Sequence, residues 1–322
     1  VNEAALSIKT VVVLGTGGTI AGRAAHPGDA VGYTAGVVPV ADLLDGVPVP
    51  AHVALEHEQV AQVDSKDMSL AIWQRLARAL VHHLRRPDVV GVVITHGTDT
   101  LEETAWFLQR VLAPAKPLVL TCAMRPATAR APDGPQNLAD AVAVAADGRL
   151  HGVVAVCAGK VHAAQDVTKV HTWQLDAFDS GDAGPVGVVE PGGVLRLFRE
   201  LPLAEPEPDL WAKVEAARAL PRVEVVFSHA DAQGHVVRSL LAAQGGAIPP
   251  LRGLVVAGTG GGTVHEALAE ALAEAQAQGV VVWCGTRCAR GRPLGVARGG
   301  RDWVSAEPSV AKARLSLALA LL

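Results

Sequence analysis

Residues 89–104, VVGVVITHGTDTLEET, decide the fold of this chain. They open as an unbroken run of valine and isoleucine, too short to span a bilayer and rich in β-branched residues. Such a run reads as a strand buried on both faces. It stops at Thr95-His96-Gly97-Thr98-Asp99-Thr100, and Leu101-Glu102-Glu103-Thr104-Ala105-Trp106-Phe107-Leu108 then shows helical spacing. The two acids in the first turn complement the positive end of a helix. A strand therefore ends in a tight loop, and a helix begins. In a parallel α/β sheet, ligands sit outside such strand ends. The loop carries hydroxyls, a carboxylate and an imidazole, more chemistry than a turn needs.

The same strand–loop–helix pattern recurs outward. Residues 10–14 form the first apolar run and lead into a glycine-rich turn at residues 15–22. Residues 23–36 are polar and glycine-containing, and read as a mobile lid that carries the chain's one tyrosine, Tyr33. Short strands are expected at residues 53–55 and 59–63. An amphipathic helix follows, with Trp73, Leu76, Ala77, Leu80, Val81 and Leu84 on one stripe. His82 and His83 close it and read as a solvated helix end. Further strands are expected at 117–121 and 152–157, with a helix at 138–146. From about residue 188 to residue 221 the chain is turn- and proline-rich and reads as a linker. Beyond it, strands at 223–227, 253–257 and 280–283 alternate with helices near 236–243, 264–278 and 309–322. The fold class is α/β with mainly parallel sheet, in an N-terminal catalytic domain (1–190), a linker (191–221) and a smaller C-terminal α/β domain (222–322).

The 322 residues, half of them hydrophobic, suffice for two cores. A net charge of −4 offers no basic excess to neutralise phosphates, so nucleic acid is not the expected partner. No apolar run is long enough for a bilayer, and the opening VNEAALSIKTVVVLG lacks the features of a leader. Cys122, Cys157 and Cys284 sit in or beside apolar runs and read as buried thiols. Cys284 and Cys288 lack the second pair that a zinc site requires. This usage leans towards a reducing compartment.

Three familiar motifs fail. Ile20 stands where a dinucleotide turn needs its third glycine, and the turn at residues 258–263 has no lysine before Thr263. There is no G-x-S-x-G elbow. A hydroxyl-rich set remains: Thr19, Tyr33, Ser65 and Thr98, with Asp99 and Lys169. Singly, each is an ordinary hydrogen-bonding loop residue. Together, Thr19, Ser65 and Thr98 all follow strand-like runs and converge if those strands are neighbours. A threonine hydroxyl is a poor nucleophile unless a base takes its proton or its field is changed. A lysine and an aspartate beside a second threonine could provide that.

Five motifs in order resemble the bacterial-type L-asparaginase family, glutaminase-asparaginases included. They are LGTGGTIAG at 14–22, ITHGTDTLEETA at 94–105, AMRP at 123–126, DGPQNL at 133–138 and DVTK at 166–169. The resemblance spans nearly the whole chain. It implies a flavodoxin-like first domain, no metal or organic cofactor, and a homotetramer built from close dimers. It also implies a site lying between the first domain of one subunit and the second of another. By this resemblance Thr19 is the nucleophile, Tyr33 its partner on the lid, and Thr98, Asp99 and Lys169 the second cluster. Ser65 receives the substrate α-carboxylate and Asp99 its ammonium. The N–H of Thr98 and the main chain at Ala123 receive the oxyanion. The implied reaction converts L-asparagine to L-aspartate and ammonia, in a cytoplasmic enzyme, or a periplasmic one where a leader has been removed.

Three departures from the family pattern stand out. Lys66 follows Ser65 where an acceptor for the substrate amine is common, and a lysine cannot accept from an ammonium. Gly261 and Thr263 replace asparagines, in the manner of members with more L-glutamine activity. After Arg290 the chain reads GRPLGVARGGRDW, without the acid that some members lend a neighbouring subunit. Rival readings are a dedicated glutaminase, a D-amino-acid amidase, an ammonia-supplying amidotransferase subunit and a silent binding protein. The amidotransferase subunit would be expected to carry an added N-terminal domain. A silent pocket would not need all of Thr19, Tyr33, Thr98, Asp99 and Lys169.

Overall fold

The computed structural model describes residues 9–26, 28–29, 32–243, 245, 247–293, 303–305 and 309–322. The chain divides into two compact units between Pro208 and Asp209.

In the first unit, β1 (Lys9–Gly17) leads to a small antiparallel pair, β2 (Arg23–Ala24) with β3 (Tyr33–Thr34). A short helix α1 (Val40–Leu43) precedes β4 (Val53–Val63). Helix–strand pairs follow: α2 (Leu70–Leu84) with β5 (Val89–Thr95), α3 (Leu101–Leu112) with β6 (Leu118–Thr121), and α4 (Gly134–Asp147) with β7 (Val153–Cys157). Five short strands complete the unit: β8 (Lys160–Ala163), β9 (Thr168–Lys169), β10 (Phe178–Asp179), β11 (Gly187–Glu190) and β12 (Val194–Leu197). The main sheet runs β12-β11-β8-β7-β6-β5-β1-β4. Its five strands from β7 to β4 are parallel, and β8, β11 and β12 join antiparallel.

Among the parallel strands, the second in sequence lies outside the first, and the third lies on the first's other side. That is the flavodoxin-like order, in which the strand order reverses between β1 and β5. The connections after those two strands leave in opposite directions and open a crevice between them. The turn bearing Thr19 and the loop bearing Thr98 border that crevice.

Burial on both faces explains the valine runs. Val11 and Val13 join the core beneath α4, together with Val93, Val119 and Val154. Successive strand side chains alternate in direction, so Val12 and Leu14, equally buried, face the other side. Gly91 lets α4 approach closely, since a Cβ there would lie 2.3 Å from the Ala145 carbonyl oxygen. The α2 stripe is buried at Trp73, Leu76, Ala77 and Leu80, and the Trp73 ring stacks on Phe107 at 4.6 Å. Each such side chain contributes about 1.5–3 kcal/mol of burial.

Three expectations change. Residues 53–63 form one strand, not two, because β4 is the sheet edge and can carry Glu56, His57 and Glu58 where one side is open to water. His83 is buried rather than solvated, and its Nε2 lies 2.8 Å from Glu58 on that edge. The turn-rich chain after residue 190 first makes a hairpin. Gly192 and Gly193, both at positive φ, turn β11 back into β12 inside the main sheet.

The second unit holds α5 (Leu210–Ala216), β13 (Arg222–Phe227), α6 (His235–Ala242), β14 (Leu251–Gly258) and α7 (Glu266–Ala277). It closes with β15 (Val281–Thr286), β16 (Val304–Ser305) and α8 (Val310–Ala320). Its sheet is parallel throughout, in the order β13-β14-β15-β16. Helices α6 and α7 cover one face through Val237, Leu268, Ala271 and Leu272, while Ala313, Leu317 and Ala318 of α8 cover the other. No helix among the described residues is long and apolar enough to cross a membrane.

Candidate active site

Two neighbouring strand ends build the site. β1 runs on past Leu14 through the glycine-rich turn as far as Gly17, and Thr19–Ala21 form a single 3-10 turn. Gly17 and Gly18 have φ of 103° and 80°, a region that L side chains rarely adopt. At Gly18 space is the stricter demand, since an added Cβ would sit 2.3 Å from the backbone of Gly97. The two turns therefore touch at Gly18 and Gly97. The next residue in each chain is Thr19 and Thr98, so one glycine contact sets both threonines at the same crevice. Thr16 strengthens the seam by donating its hydroxyl to the Thr95 carbonyl at 2.8 Å.

Thr19 is buried, and its Oγ1 lies 2.6 Å from the Tyr33 hydroxyl. The tyrosine ring lies against Gly22, where a Cβ would come within 2.8 Å of it. Tyr33 thus belongs to the hairpin of β2 and β3 that folds back over the turn. Positions 27, 30 and 31 of the stretch expected to act as a lid lie outside the described residues.

The second cluster centres on Lys169, in β9. Its ammonium donates to Thr98 Oγ1 at 2.8 Å and to Asp99 Oδ1 at 2.6 Å. A cation against a hydroxyl oxygen favours the deprotonated form of that hydroxyl. Thr98 in turn donates to Asp99 at 3.4 Å, which closes a three-membered ring of contacts. The Lys169 backbone is tied down as well, its N–H donating to the Glu102 carboxylate on α3 at 2.7 Å.

Ser65 joins this cluster from the end of β4. Its buried hydroxyl accepts from the Asp99 N–H at 3.2 Å, and its carbonyl accepts from the Thr100 hydroxyl at 2.7 Å. The hydroxyl proton of Ser65 has no acceptor among the described residues and is available to an anion. Lys66 points elsewhere. Its exposed ammonium pairs with Asp67 at 2.6 Å and Asp64 at 3.4 Å.

Ala123 is fully buried beside Ile20, next in chain to Thr19. Residues with no role assigned from sequence hold it. Asp133 accepts from the N–H groups of Met124 and Arg125 at 2.8 and 2.9 Å. Asn137, one helical turn on, donates to the Cys122 carbonyl at 2.9 Å and accepts from the Ala158 N–H at 3.0 Å. The peptides on both sides of Ala123 are thereby fixed. The signal was present in DGPQNL, where a carboxylate and an amide four residues apart share a helix face. The thiols of Cys122 and Cys157 are free, buried and 3.1 Å apart, and this contact with burial raises the Cys122 pKa well above its usual range.

The second-domain turn is exposed and tied to the end of β15: the Gly260 carbonyl accepts from the Thr286 hydroxyl, and the Gly258 carbonyl accepts from the Arg287 N–H at 2.9 Å. Thr259 and Thr263 hydroxyls lie 2.8 Å apart, and each also donates to the other's carbonyl. The segment after Arg290 where a lent acid is missing lies largely outside the described residues. Among the described residues, no group of three or more His, Cys, Asp or Glu is placed to hold a metal ion.

A flavodoxin-like sheet with two threonine-bearing turns at its reversal point defines a class of α/β protein in which hydroxyl, amine and carboxylate meet at one crevice. Residues 10–202 match the family described as Asparaginase, N-terminal, and residues 222–322 match the Glutaminase/Asparaginase C-terminal domain. The chain belongs to the asparaginase family. It is 35% identical to the probable periplasmic L-asparaginase of Haemophilus influenzae over 86% of its own length and 77% of that protein's. It is 36% identical to the glutaminase-asparaginase of Pseudomonas fluorescens biotype A, over 87% and 76% of the two chains. It is 35% identical to L-asparaginase 2 of Escherichia coli K12, over 87% and 78%. In three dimensions it resembles the probable cytoplasmic L-asparaginase of Campylobacter jejuni, with a TM-score of 0.86 and 34% identity over 97% and 95% of the two chains.

Proposed function

We propose that this protein hydrolyses L-asparagine to L-aspartate and ammonia through an acyl-enzyme on Thr19. The observation that carries the reading is the pairing of two activated hydroxyls. Thr19 lies against Tyr33, and Thr98 against an ammonium that also holds Asp99. Membership of the asparaginase family supports it throughout.

Thr19 Oγ1 attacks the side-chain amide carbon as its proton passes to the Tyr33 oxygen, which gives up its own proton towards the amide nitrogen. The Thr98 N–H and the main chain at Ala123 receive the oxyanion as the carbonyl becomes tetrahedral. The C–N bond breaks, and the amine departs as ammonia with the proton returned to it. Water then attacks the ester as its proton passes to the Thr98 oxygen, which hands its own to the Asp99 carboxylate, and a proton returned through Tyr33 to the leaving oxygen restores Thr19. Ser65 donates its free proton to the α-carboxylate, and Asp99 accepts from the α-ammonium. Lys66, held by Asp64 and Asp67, takes no part in binding the amine. The segment containing Tyr33 acts as the lid.

L-glutamine is the natural second substrate, supported by Thr263 and by the relatives named glutaminase-asparaginase. The assembly is a homotetramer of close dimers in the cytoplasm, supported by the resemblance to family members. Light scattering on the purified protein measures the first of these claims. Ammonia release from L-asparagine and from L-glutamine, at micromolar and millimolar concentration, tests the activity. A parent protein that turns over neither amide overturns the reading.

A further inference from the structure

His96 stands in the centre of the THGTDT loop, and no step above uses it. Its ring is fully buried. Nδ1 lies 2.7 Å from the carbonyl oxygen of the next residue, Gly97. A carbonyl only accepts, so Nδ1 carries the proton and Nε2 bears the lone pair. Burial pushes the ring pKa down to about 4, so the imidazole is neutral at physiological pH. Nε2 has no hydrogen-bond partner among the described residues. An unpaired buried nitrogen costs stability. A position that only needed filling would be better served by phenylalanine or leucine.

The geometry of the peptide says what the ring holds. A trans peptide is planar, with its C=O and N–H pointing in opposite directions. The Gly97 carbonyl and the Thr98 N–H belong to one such plane. Fixing the carbonyl on His96 therefore aims the Thr98 N–H the opposite way, out of the core and towards the crevice. Gly97 cannot steer this plane itself. It has no side chain, and a Cβ there would come within 2.5 Å of Ser65 Oγ. The ring is firmly mounted, because the His96 N–H donates to the Thr121 carbonyl on β6 at 2.9 Å. We infer that His96 is a positioning residue that orients the Thr98 N–H as the oxyanion donor, through the hydrogen bond from its Nδ1 to the Gly97 carbonyl. This rests on the assignment of that N–H to the oxyanion under the proposed function.

The test uses His96→Asn, His96→Gln and His96→Phe, with Thr19→Ala as control. Asparagine can place an amide N–H where Nδ1 stands. Glutamine places its amide nearer the Nε2 position, and phenylalanine has no donor. Thermal melts and circular dichroism first establish which variants fold, and kcat and KM for L-asparagine are then measured. Loss of one oxyanion donor costs about 10²–10³-fold in kcat. A misaimed donor should cost about 10–100-fold. The expected result is that loss in kcat for Gln and Phe, with KM within about threefold and kcat for Asn within about fivefold of the parent. Should Phe fail to fold, the contrast between Asn and Gln decides alone. Equal kcat in folded Asn and Gln variants overturns the inference, as does a folded Phe variant with parental kcat. Failure of the underlying reading looks different: the parent is inactive, or Thr19→Ala retains activity.

Discussion

At residues 15–22 the chain leaves β1 through a glycine-rich turn, and at residues 258–263 it leaves β14 through another. Both follow a buried parallel strand, both contain threonine, and both put glycine at positive φ. Their surroundings differ. At Gly18 a Cβ would strike the backbone of a second loop, and the next residue, Thr19, is buried against a tyrosine hydroxyl. At Gly260 an added Cβ would meet nothing within 4 Å, the carbonyl accepts from the Thr286 hydroxyl of β15, and the hydroxyls of Thr259 and Thr263 each donate to the other's carbonyl in the open. In both turns a neighbouring strand end supplies polar partners, but only beside the first do a hydroxyl, an ammonium and a carboxylate come together. In the first unit the strand order reverses beside that turn. In the second unit the strands follow one another without reversal.

The largest break in this comparison comes from Thr19→Ala, for which ammonia release from L-asparagine should fall at least about 10³-fold while the melting temperature moves little. Lys169→Met should lose about 10²–10⁴-fold in kcat, since it strips both Thr98 and Asp99 of their cation. A Lys169→Met enzyme of parental rate would remove the second cluster from the mechanism.

Gly18→Ala meets both a 2.3 Å overlap and a φ of 80°, and is expected to cost about 3 kcal/mol or more, with loss of activity. Denaturant melts measure it. Gly260→Ala meets only its φ of 48° and should cost about 1 kcal/mol. Similar losses at the two positions would mean that the contact between the turns does not hold the first one.

Acid should sharpen the contrast between the units. His96 and His162 in the first unit are pushed down to about 4 by burial, from an ordinary 6.5. A histidine held neutral in the fold contributes stability that is complete above the unfolded pKa and is lost as pH falls towards the folded one. Melting temperature should therefore be level above about pH 6.5 and decline between about 6.5 and 4. The second unit has no buried histidine among its described residues. Hydrogen exchange at falling pH should accordingly open the first unit before the second, and the reverse order would contradict this assignment. The smallest effect is Thr263→Ala, which removes an exposed hydroxyl pair and should change stability by about 1 kcal/mol or less, read from the same melts.

Much of this was legible along the chain. Runs such as VVVLG and VVGVVIT announce strands covered on both faces, because only a sheet with helices on each side can bury every side chain in a row. Five motifs in order pointed to the family and to six polar residues, and the structure brings Thr19 to Tyr33, Thr98 to Asp99 and Lys169, and Ser65 to Asp99. Other features were hidden. β4 looked like two strands because exposure of one edge let charges interrupt its apolar pattern. The hairpin of β11 and β12 looked like linker because its turn residues are those of a linker. His83 looked solvated because nothing local shows that Glu58 lies beside it.

By itself, the order of residues determined the alternation of strand and helix, the glycine turns and the chemical groups at strand ends, since these depend on neighbours a few positions apart. Only the tertiary structure decided which ends meet. Gly18 touches Gly97, which lies 79 positions further along the chain, and the bond from Thr16 to the Thr95 carbonyl spans the same separation. It also decided that one threonine turn is pressed into a crevice while the other stays exposed against the end of β15, and that a histidine ring meets the Gly97 carbonyl. Those outcomes depend on strand order, and strand order is a property of the whole sheet rather than of any segment.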